Sequence, residues 1–216
     1  MPDHEAAGPA PSTDRVMRRR LLGAGVAGIA ASLLPRFASR VSATTEPENS
    51  VAATTTTAPP ERPTDADVDL LAFAQSVELA AVALFDMTLE VVEGDERPVF
   101  LTVREAHQAY AQAIAAEIGN GATGEPLSDV VDEFGGSFSA GSTAELAQAA
   151  YDLEATALAT HTDLIGQLEG TRGSALLASI LITEARHCTV FATIAGETDL
   201  DVLLLSDATA LQPTEG

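Results

Sequence analysis

Cysteine and basic residues are scarce in this sequence, and each shortage excludes a class of protein. Cys188 is the single cysteine of the 216-residue chain, so no intrachain disulfide can form and packing must stabilise the fold. Of the 11 basic and 32 acidic residues, six basic and three acidic ones lie in residues 1–43. The remainder is therefore strongly acidic, which favours solubility, attracts cations and repels nucleic acid and anionic lipid. We expect no nucleic-acid partner.

Residues 1–43 have the pattern of an export signal. Three arginines at residues 18–20 precede an apolar run, residues 22–34, that is rich in Gly and Ala and too short to span a bilayer comfortably. Paired arginines followed by two leucines resemble the twin-arginine type of signal, whose route carries folded proteins, often with a cofactor inserted. Residues 41–43, Val-Ser-Ala, are the predicted cleavage site of this signal. An uncleaved signal is the alternative, and would be the only membrane contact. We expect an exported protein, in the periplasm, the cell envelope or the extracellular space.

The rest of the chain divides into a tether, one domain and a tail. Residues 44–64 are rich in Thr, Ala and Pro, which predicts a flexible tether. Residues 65–196 show apolar side chains at the helical period and no strand pattern, which predicts one all-α domain. The predicted helices cover residues 65–92, 99–118, 144–168 and 174–195. In the tail, residues 197–216, the apolar segment 202–205 is expected to dock on the domain.

The connections between these helices predict the topology. The first and third connections are short, which makes each pair of helices an antiparallel hairpin. The connection between the second and third helices is long, residues 119–143, with a short helical turn predicted around residues 127–134. One long crossover between two hairpins is the topology of a ferritin-like four-helix bundle.

Carboxylate and imidazole side chains lie on the apolar faces of these helices. Glu184 and His187 are three residues apart within the apolar stripe of the fourth helix, so they project the same way and could bind one ion. Glu78 and Glu154 lie at comparable depth on the first and third helices. Burying such groups is costly unless they have partners. The pattern therefore predicts a metal site formed by Glu78, Glu154, Glu184 and His187.

Three segments carry a family resemblance. They are DVDLLAFAQSVELAAVALF (residues 67–85), AYDLEATALATH (residues 150–161) and SILITEARHCTVF (residues 179–191). They resemble the first, third and fourth helices of bacterial exported ferritin-like proteins. The resemblance implies a ferritin-like bundle with Glu78, Glu154, Glu184 and His187 at the metal-ligand positions.

The second helix departs from that family's pattern. Where the family has His-Glu-x-x-His, this chain reads His-Gln-Ala-Tyr-Ala at residues 107–111. Gln108 replaces the carboxylate and Ala111 the imidazole, which argues against a di-iron oxidase and leaves enzymatic activity unassigned. A single Fe, Mn or Zn ion is the expected cofactor. His107, Gln108, His161 and Cys188 are candidates of second rank, although two helical turns, about 11 Å, separate His161 from Glu154.

Other roles are open for the same residues. A buried glutamate can pair with Arg104 or Arg186, an inward histidine can simply satisfy a hydrogen bond, and Cys188 can be a small core side chain. The carboxylates can also share protons among themselves. Three hypotheses follow: an exported bundle that binds one metal ion, a metal-free bundle that acts as a binding or envelope-associated module, and an oxidase with unusual ligands. No motif indicates a substrate or a protein partner.

Overall fold

The polypeptide folds into helices connected by loops. The computed structural model describes residues 58–139, 141–204 and 206–213, and this part of the chain contains six α-helices and no β-strand. The helices are α1 Asp65–Val91, α2 Arg97–Ile118, α3 Ser128–Phe138, α4 Thr143–Gln167, α5 Thr171–Ala195 and α6 Leu200–Leu204. The all-α prediction is confirmed. The predicted export signal, residues 1–43, and residues 44–57 of the predicted tether lie outside the described residues.

Four long helices form the bundle. The most extensive packing is between α4 and α5 and between α1 and α2, the two hairpins predicted from the short connections. The hairpins meet where α1 packs on α4 and α2 packs on α5. The long connection contains α3, which packs against α1 and α4 and is longer than the predicted turn. Phe138 at its end is fully buried, and its carbonyl oxygen accepts a hydrogen bond from Thr88 Oγ1 at 2.9 Å.

Side chains and glycine fix the ends of these helices. Thr64 caps α1 and Ser142 caps α4, each in a capping box whose third residue is acidic. Helix α5 ends at Gly196, whose φ of 91° is the left-handed conformation that glycine adopts without a steric penalty. Local sequence therefore specifies the start of two of the four long helices and the end of a third.

Asp67 joins the start of α1 to the turn between α4 and α5. Its carboxylate is 1% exposed and accepts hydrogen bonds from the backbone N–H groups of Thr64, Glu169 and Gly170 at 2.8–2.9 Å. Burial disfavours the charge, but these hydrogen bonds outweigh it and lower the pKa of Asp67 below its ordinary value. Asp67 is thus a buried anion held by backbone donors from both hairpins.

The segment before α1 is bound to the start of α5. The N–H groups of Thr171 and Arg172 donate to the carbonyl oxygens of Pro60 and Glu61 at 3.0 and 3.1 Å. Residues 60 and 61 belong to the predicted tether, yet they supply acceptors for N–H groups that a helix start leaves unpaired. Helix α5 accordingly begins three residues earlier than predicted, at Thr171.

The C-terminal segment returns along α4. The Tyr151 hydroxyl donates to the carbonyl oxygen of Val202 at 3.0 Å, and the N–H of Leu211 donates to Thr160 Oγ1 at 2.9 Å. The tail therefore contacts α4 through a backbone carbonyl and a backbone N–H, whereas Val202 and Leu204 of the apolar segment are 37% and 77% exposed.

A polar layer separates two apolar clusters in the core. One cluster surrounds four phenylalanines at positions 85, 100, 138 and 191, and the other is aliphatic, around Leu71, Ile114, Leu164 and Leu177. Along each long helix the buried glutamates and histidines lie between these two clusters. Helices α1 and α5 are long and apolar enough to cross a membrane by length and composition alone, a test that core helices also pass.

Candidate metal centre

Three glutamates and three histidines meet in the polar layer. They are Glu78 on α1, His107 on α2, Glu154 and His161 on α4, and Glu184 and His187 on α5. His187 is 12% exposed at its side chain, and the other five are exposed by no more than 1%. Groups of this kind are rarely buried without partners, so their contacts decide what the layer can do.

Glu78, His161 and Glu184 form one group, here named the inner cluster. One ligand atom of each residue lies within 4.8 Å of those of the other two. His161 Nδ1 is 3.0 Å from Glu184 Oε2, and His161 Nε2 is 3.4 Å from Glu78 Oε1 without hydrogen-bond geometry. Among the described side chains, the buried polar atoms without a hydrogen-bond partner are Glu78 Oε1, His161 Nε2 and Glu184 Oε1. All three belong to the inner cluster.

His107, Glu154 and His187 form a second group, here named the outer cluster. One ligand atom of each again lies within 4.8 Å of the others. Glu154 Oε1 is 3.0 Å from His107 Nε2 and 3.2 Å from His187 Nδ1, while Glu154 Oε2 is 3.3 Å from His187 Nδ1. In contrast to the inner cluster, hydrogen bonds satisfy the glutamate of this cluster. The partial exposure of His187 places the outer cluster nearer the solvent.

The imidazole of His107 lies between the two clusters. Its Nδ1 is 2.7 Å from Glu78 Oε2, and its Nε2 is 3.0 Å from Glu154 Oε1. Phe85 stacks on the ring, with centroids 5.5 Å apart and an interplanar angle of 20°, and Tyr110 packs edge-on at 5.9 Å. The ring is therefore held in one orientation by two carboxylates and two aromatic neighbours.

Without a metal ion, protons hold the layer together. Burial disfavours the charged ring, but Glu154 and Glu78 raise the pKa of His107 well above its ordinary value. Burial likewise opposes the charge on His161, yet Glu184 and Glu78 raise its pKa to about 9. Burial would raise the pKa of Glu154, but His107 and His187 lower it to about 2. Burial raises the pKa of Glu184 despite its contact with His161. In the metal-free layer these shifts favour imidazolium at His107 and His161 and carboxylate at Glu154.

The sequence of the four-helix bundle matches a known family. A model of the ferritin-like domain matches residues 66–197, which covers the four long helices and the polar layer. The chain belongs to the ferritin-like family. Comparisons with curated proteins and with solved structures gave no significant match.

The ferritin-like bundle places the four predicted ligands in its core but divides them. Glu78 and Glu184 belong to the inner cluster, and Glu154 and His187 to the outer one. The sequence grouped these four residues around one ion. In the structure, each cluster contains two of the four predicted ligands and one histidine that the sequence ranked second. That histidine is His161 in the inner cluster and His107 in the outer one.

The remaining candidates lie beside the layer. Gln108 and Cys188 are half-buried and belong to neither cluster. Burial and the nearby glutamates raise the pKa of Cys188 to about 12, so its thiol stays protonated. On α2 of this ferritin-like bundle, the inward residue is His107, whereas the sequence comparison put Gln108 at the carboxylate position. A shift of one residue turns a helix by about 100°, so only one of the two can face the core.

Arginine does not neutralise the buried glutamates. Arg104 pairs with Asp86 at 2.8 Å, and Arg186 is exposed. In the described part of the chain, the ion-pair partners of Glu78, Glu154 and Glu184 are all histidines. The alternative in which a buried glutamate serves an arginine is therefore not found here.

The donor set fits a metal ion. The inner cluster presents two carboxylates and one imidazole, and the outer cluster one carboxylate and two imidazoles. Iron, manganese and zinc all accept such nitrogen and oxygen ligands. His107 also directs Nδ1 at Glu78, outside its own cluster, while Nε2 faces Glu154 within it, the arrangement in which a further carboxylate orients a ligating histidine.

Proposed function

We propose that this chain is an exported ferritin-like protein that binds a metal ion in the inner cluster, through Glu78, His161 and Glu184. The observation that carries the proposal is the set of three buried atoms without a hydrogen-bond partner, one from each of these residues. A buried polar atom without a partner costs about 1–3 kcal/mol, and more if the group is charged. A cation would give all three atoms a partner at once.

The chemistry of the three donors supports a metal ion over an ordered water. A water molecule offers two protons, so it could satisfy the two carboxylate oxygens but would then have to accept from His161 Nε2. The same nitrogen already lies beside an acceptor, Glu78 Oε1, at 3.4 Å. A divalent ion accepts electron pairs from all three atoms when the proton of neutral His161 is on Nδ1, which lies 3.0 Å from Glu184 Oε2. Fe, Mn and Zn remain the candidates.

A bound ion would supply positive charge where the layer has buried carboxylates and no arginine. The chain's own residues would keep the ion dry and fix its ligands, because Phe85 and the aliphatic cluster close the layer on both sides. We assign no reaction to the site. Metal binding itself is the proposed activity.

Metal analysis of the mature protein, isolated from its exported fraction, tests this proposal. We expect at least one equivalent of Fe, Mn or Zn, and loss of that equivalent in Glu184→Gln and His161→Ala. Gln108→Ala is the matched control, since Gln108 adjoins the layer but belongs to neither cluster. Only trace metal in the wild-type protein would contradict the proposal and favour a metal-free binding or envelope-associated module. Helicity measured by circular dichroism shows whether each variant has folded.

Export is the second part of the proposal, and the support for it is the sequence of residues 1–43. We expect the mature protein to begin at residue 44, after Val-Ser-Ala. Mass spectrometry of protein from outside the cytoplasm measures that N-terminus. Substituting both Arg18 and Arg19 by Lys should leave the protein inside the cell if the twin-arginine type is right. Unchanged export of this double variant would contradict that type of signal.

A further inference from the structure

The outward side of α5 differs from the rest of the surface of this protein. We propose that it is the interface of a homodimer, in which α5 packs antiparallel against α5 of a second copy of this chain. Such a dimer would form whether or not the inner cluster holds a metal ion. The features that indicate it are the poor burial of an apolar helix, the absence of acidic side chains on its outward side, the two-fold symmetry of that side and its area.

Helix α5 is as apolar as a core helix but leaves most of itself uncovered. Only 28% of an apolar 18-residue stretch of α5 is buried, against 56% for the corresponding stretch of α1. Ile182 and Val190 are 55% and 41% exposed, so two large aliphatic side chains of α5 face the solvent. Single exposed apolar residues are common on protein surfaces, but a continuous apolar face is typical of an interaction surface.

No exposed acidic side chain occurs along α5. Between Glu169 and Glu197 the sequence contains one acidic residue, Glu184, and that residue is buried in the inner cluster. The charged residues on the outside of α5 are Arg172 and Arg186. Each of the other three long helices carries exposed aspartate or glutamate. In a chain with 32 acidic and 11 basic residues, a second copy therefore meets the least repulsion at this face.

The outward residues of α5 are arranged symmetrically about the level of position 184. Exposed residues recur every three or four positions along one side of the helix, at Ala175, Ser179, Ile182, Arg186, Thr189 and Thr193. Each of the first three lies as far before position 184 as one of the last three lies after it. In an antiparallel pair with its two-fold axis at this level, small side chains meet small ones, and Ile182 of each copy meets the aliphatic stem of Arg186 of the other. Such an interface is self-complementary and closes at two copies.

The face is also large enough for a stable dimer. Helix α5 has 25 residues and is therefore about 37 Å long. The outer edge of α2 adjoins it, because Glu117 of α2 pairs with Arg172 of α5 at 2.8 Å. Together the two helices are about 20 Å wide, which gives about 750 Å² per copy. Stable interfaces bury about 800 Å² per partner, so a second copy would cover this face with an ordinary interface.

A lipid surface fits the face less well than a second copy does. Helices that lie on membranes carry many lysines and arginines beside their apolar face, which bind anionic lipid. Helix α5 has two arginines and no lysine, and the surrounding surface is acidic. The symmetry of the face also has no counterpart in a lipid surface, whereas an identical copy matches it.

Sedimentation of the mature protein, isolated from its exported fraction, tests the dimer. We expect twice the mass of one chain at micromolar concentration, and single chains on dilution. Ile182→Glu should raise the Kd of the dimer at least about 100-fold, because it brings two carboxylates together near the two-fold axis. Val190→Glu should act in the same direction. A wild-type protein that sediments as a single chain at micromolar concentration overturns the inference, and so does an Ile182→Glu variant that remains dimeric.

Val91→Glu is the matched control for added charge. Val91 is 44% exposed, against 41% for Val190, but it ends α1, which packs chiefly against α2, α3 and α4. This variant should remain dimeric, and its dissociation would show that charge alone, not the face of α5, controls assembly. Metal content is measured in the same samples. Single chains that contain metal leave the proposed function standing, and metal-free dimers leave this inference standing.

Disulfide crosslinking tests the antiparallel arrangement. Cys188→Ala removes the natural thiol, and Ile182→Cys and Arg186→Cys are then made separately in that background. When the two proteins are mixed and allowed to exchange subunits, the mixed pair should crosslink in preference to either protein with itself. The reason is that position 182 of one copy lies beside position 186 of the other, and a disulfide forms only between close Cβ atoms. Preferential crosslinking of either variant with itself would contradict this arrangement.

Vesicle flotation distinguishes a second copy from lipid as the occupant of the face. The mature protein is mixed with vesicles of neutral phosphatidylcholine and centrifuged through a density gradient. We expect it to stay with the soluble fraction as a dimer. Flotation of wild-type single chains that is lost in Ile182→Glu but kept in Val91→Glu would assign the face to lipid and overturn the inference.

Discussion

Removal of the metal ion should reverse the way in which stability depends on pH. In the metal-free protein, burial opposes protonation of His161, yet Glu184 and Glu78 raise its pKa from 6.5 to about 9. The folded state therefore binds this proton more tightly than the unfolded chain does. The contribution of His161 to the free energy of unfolding is fully present below about pH 6.5 and is lost as the pH rises through about 9.

The size of the effect follows from the shift. A difference of one pKa unit corresponds to about 1.4 kcal/mol, so the shift of His161 contributes at most about 3.5 kcal/mol. The raised pKa of His107 acts in the same direction. For a domain whose total stability is on the order of 10 kcal/mol, such a loss is large enough to measure. In the proposed metal-loaded protein His161 would be a neutral ligand, and metal binding would strengthen as the pH rises.

Denaturant unfolding of the chelator-treated full chain, measured at intervals from pH 6 to pH 9.5, provides the assay. The midpoint should fall with pH while the slope stays constant, and the zinc-loaded protein should show no such fall. His161→Gln is the matched variant, because it keeps a polar side chain but has no proton to lose. Its metal-free form should lose much of the pH dependence. A metal-free wild type whose stability is flat over this range, or falls just as steeply in His161→Gln, would refute the reasoning.

Three further predictions concern the fold around the site. Asp67→Asn should lower the free energy of unfolding by about 3 kcal/mol, because the amide nitrogen of Asn would face a backbone N–H that now donates a hydrogen bond to the carboxylate. Since the pKa of Asp67 is lowered in the folded state, the wild type should be more stable than the variant above about pH 4 and should lose this advantage in acid. Gly170→Ala should destabilise the fold, because the new Cβ would lie 2.8 Å from the carbonyl oxygen of Arg62. At Gly166 no atom lies within 4 Å of a new Cβ, so Gly166→Ala should be neutral or stabilising by about 0.5 kcal/mol in the same unfolding assay. Phe85→Ala should cost about 3–5 kcal/mol and speed zinc release, since Phe85 is fully buried and stacks on His107.

The periodicity and loop lengths in the sequence were sufficient to predict the bundle. Apolar residues at the helical period mark the face that each helix buries, and one long connection marks the crossover, so the ferritin-like prediction is confirmed. The differences arise where distant segments meet. Helix α5 starts early because Pro60 and Glu61 accept its first N–H groups, and α3 extends because Phe138 is buried against α1. Neither contact leaves a local pattern in the sequence.

The site was predictable in composition but not in grouping. The apolar stripes showed which glutamates and histidines face inward, and Glu78, Glu154, Glu184, His107 and His161 are indeed buried. Which of them meet depends on the vertical register of one helix against another. His161 was ranked low because it is two turns from Glu154 on α4, and that distance is what brings it to Glu78 and Glu184 instead.

The imidazole at position 107 changes what the polar layer requires. With three glutamates and three histidines, the layer can balance its buried charge in two ways: with protons on the imidazoles, or with cations bound by neutral ones. A fourth carboxylate at this position would remove the first option, because buried carboxylates would then outnumber the cations available in the metal-free layer. Such a protonated network would allow a folded metal-free state, and the proposed metal binding would exchange protons for an ion. In the structure, hydrogen bonds satisfy the carboxylate of the outer cluster, whereas three atoms of the inner cluster lack partners, so the inner cluster has more to gain from an ion.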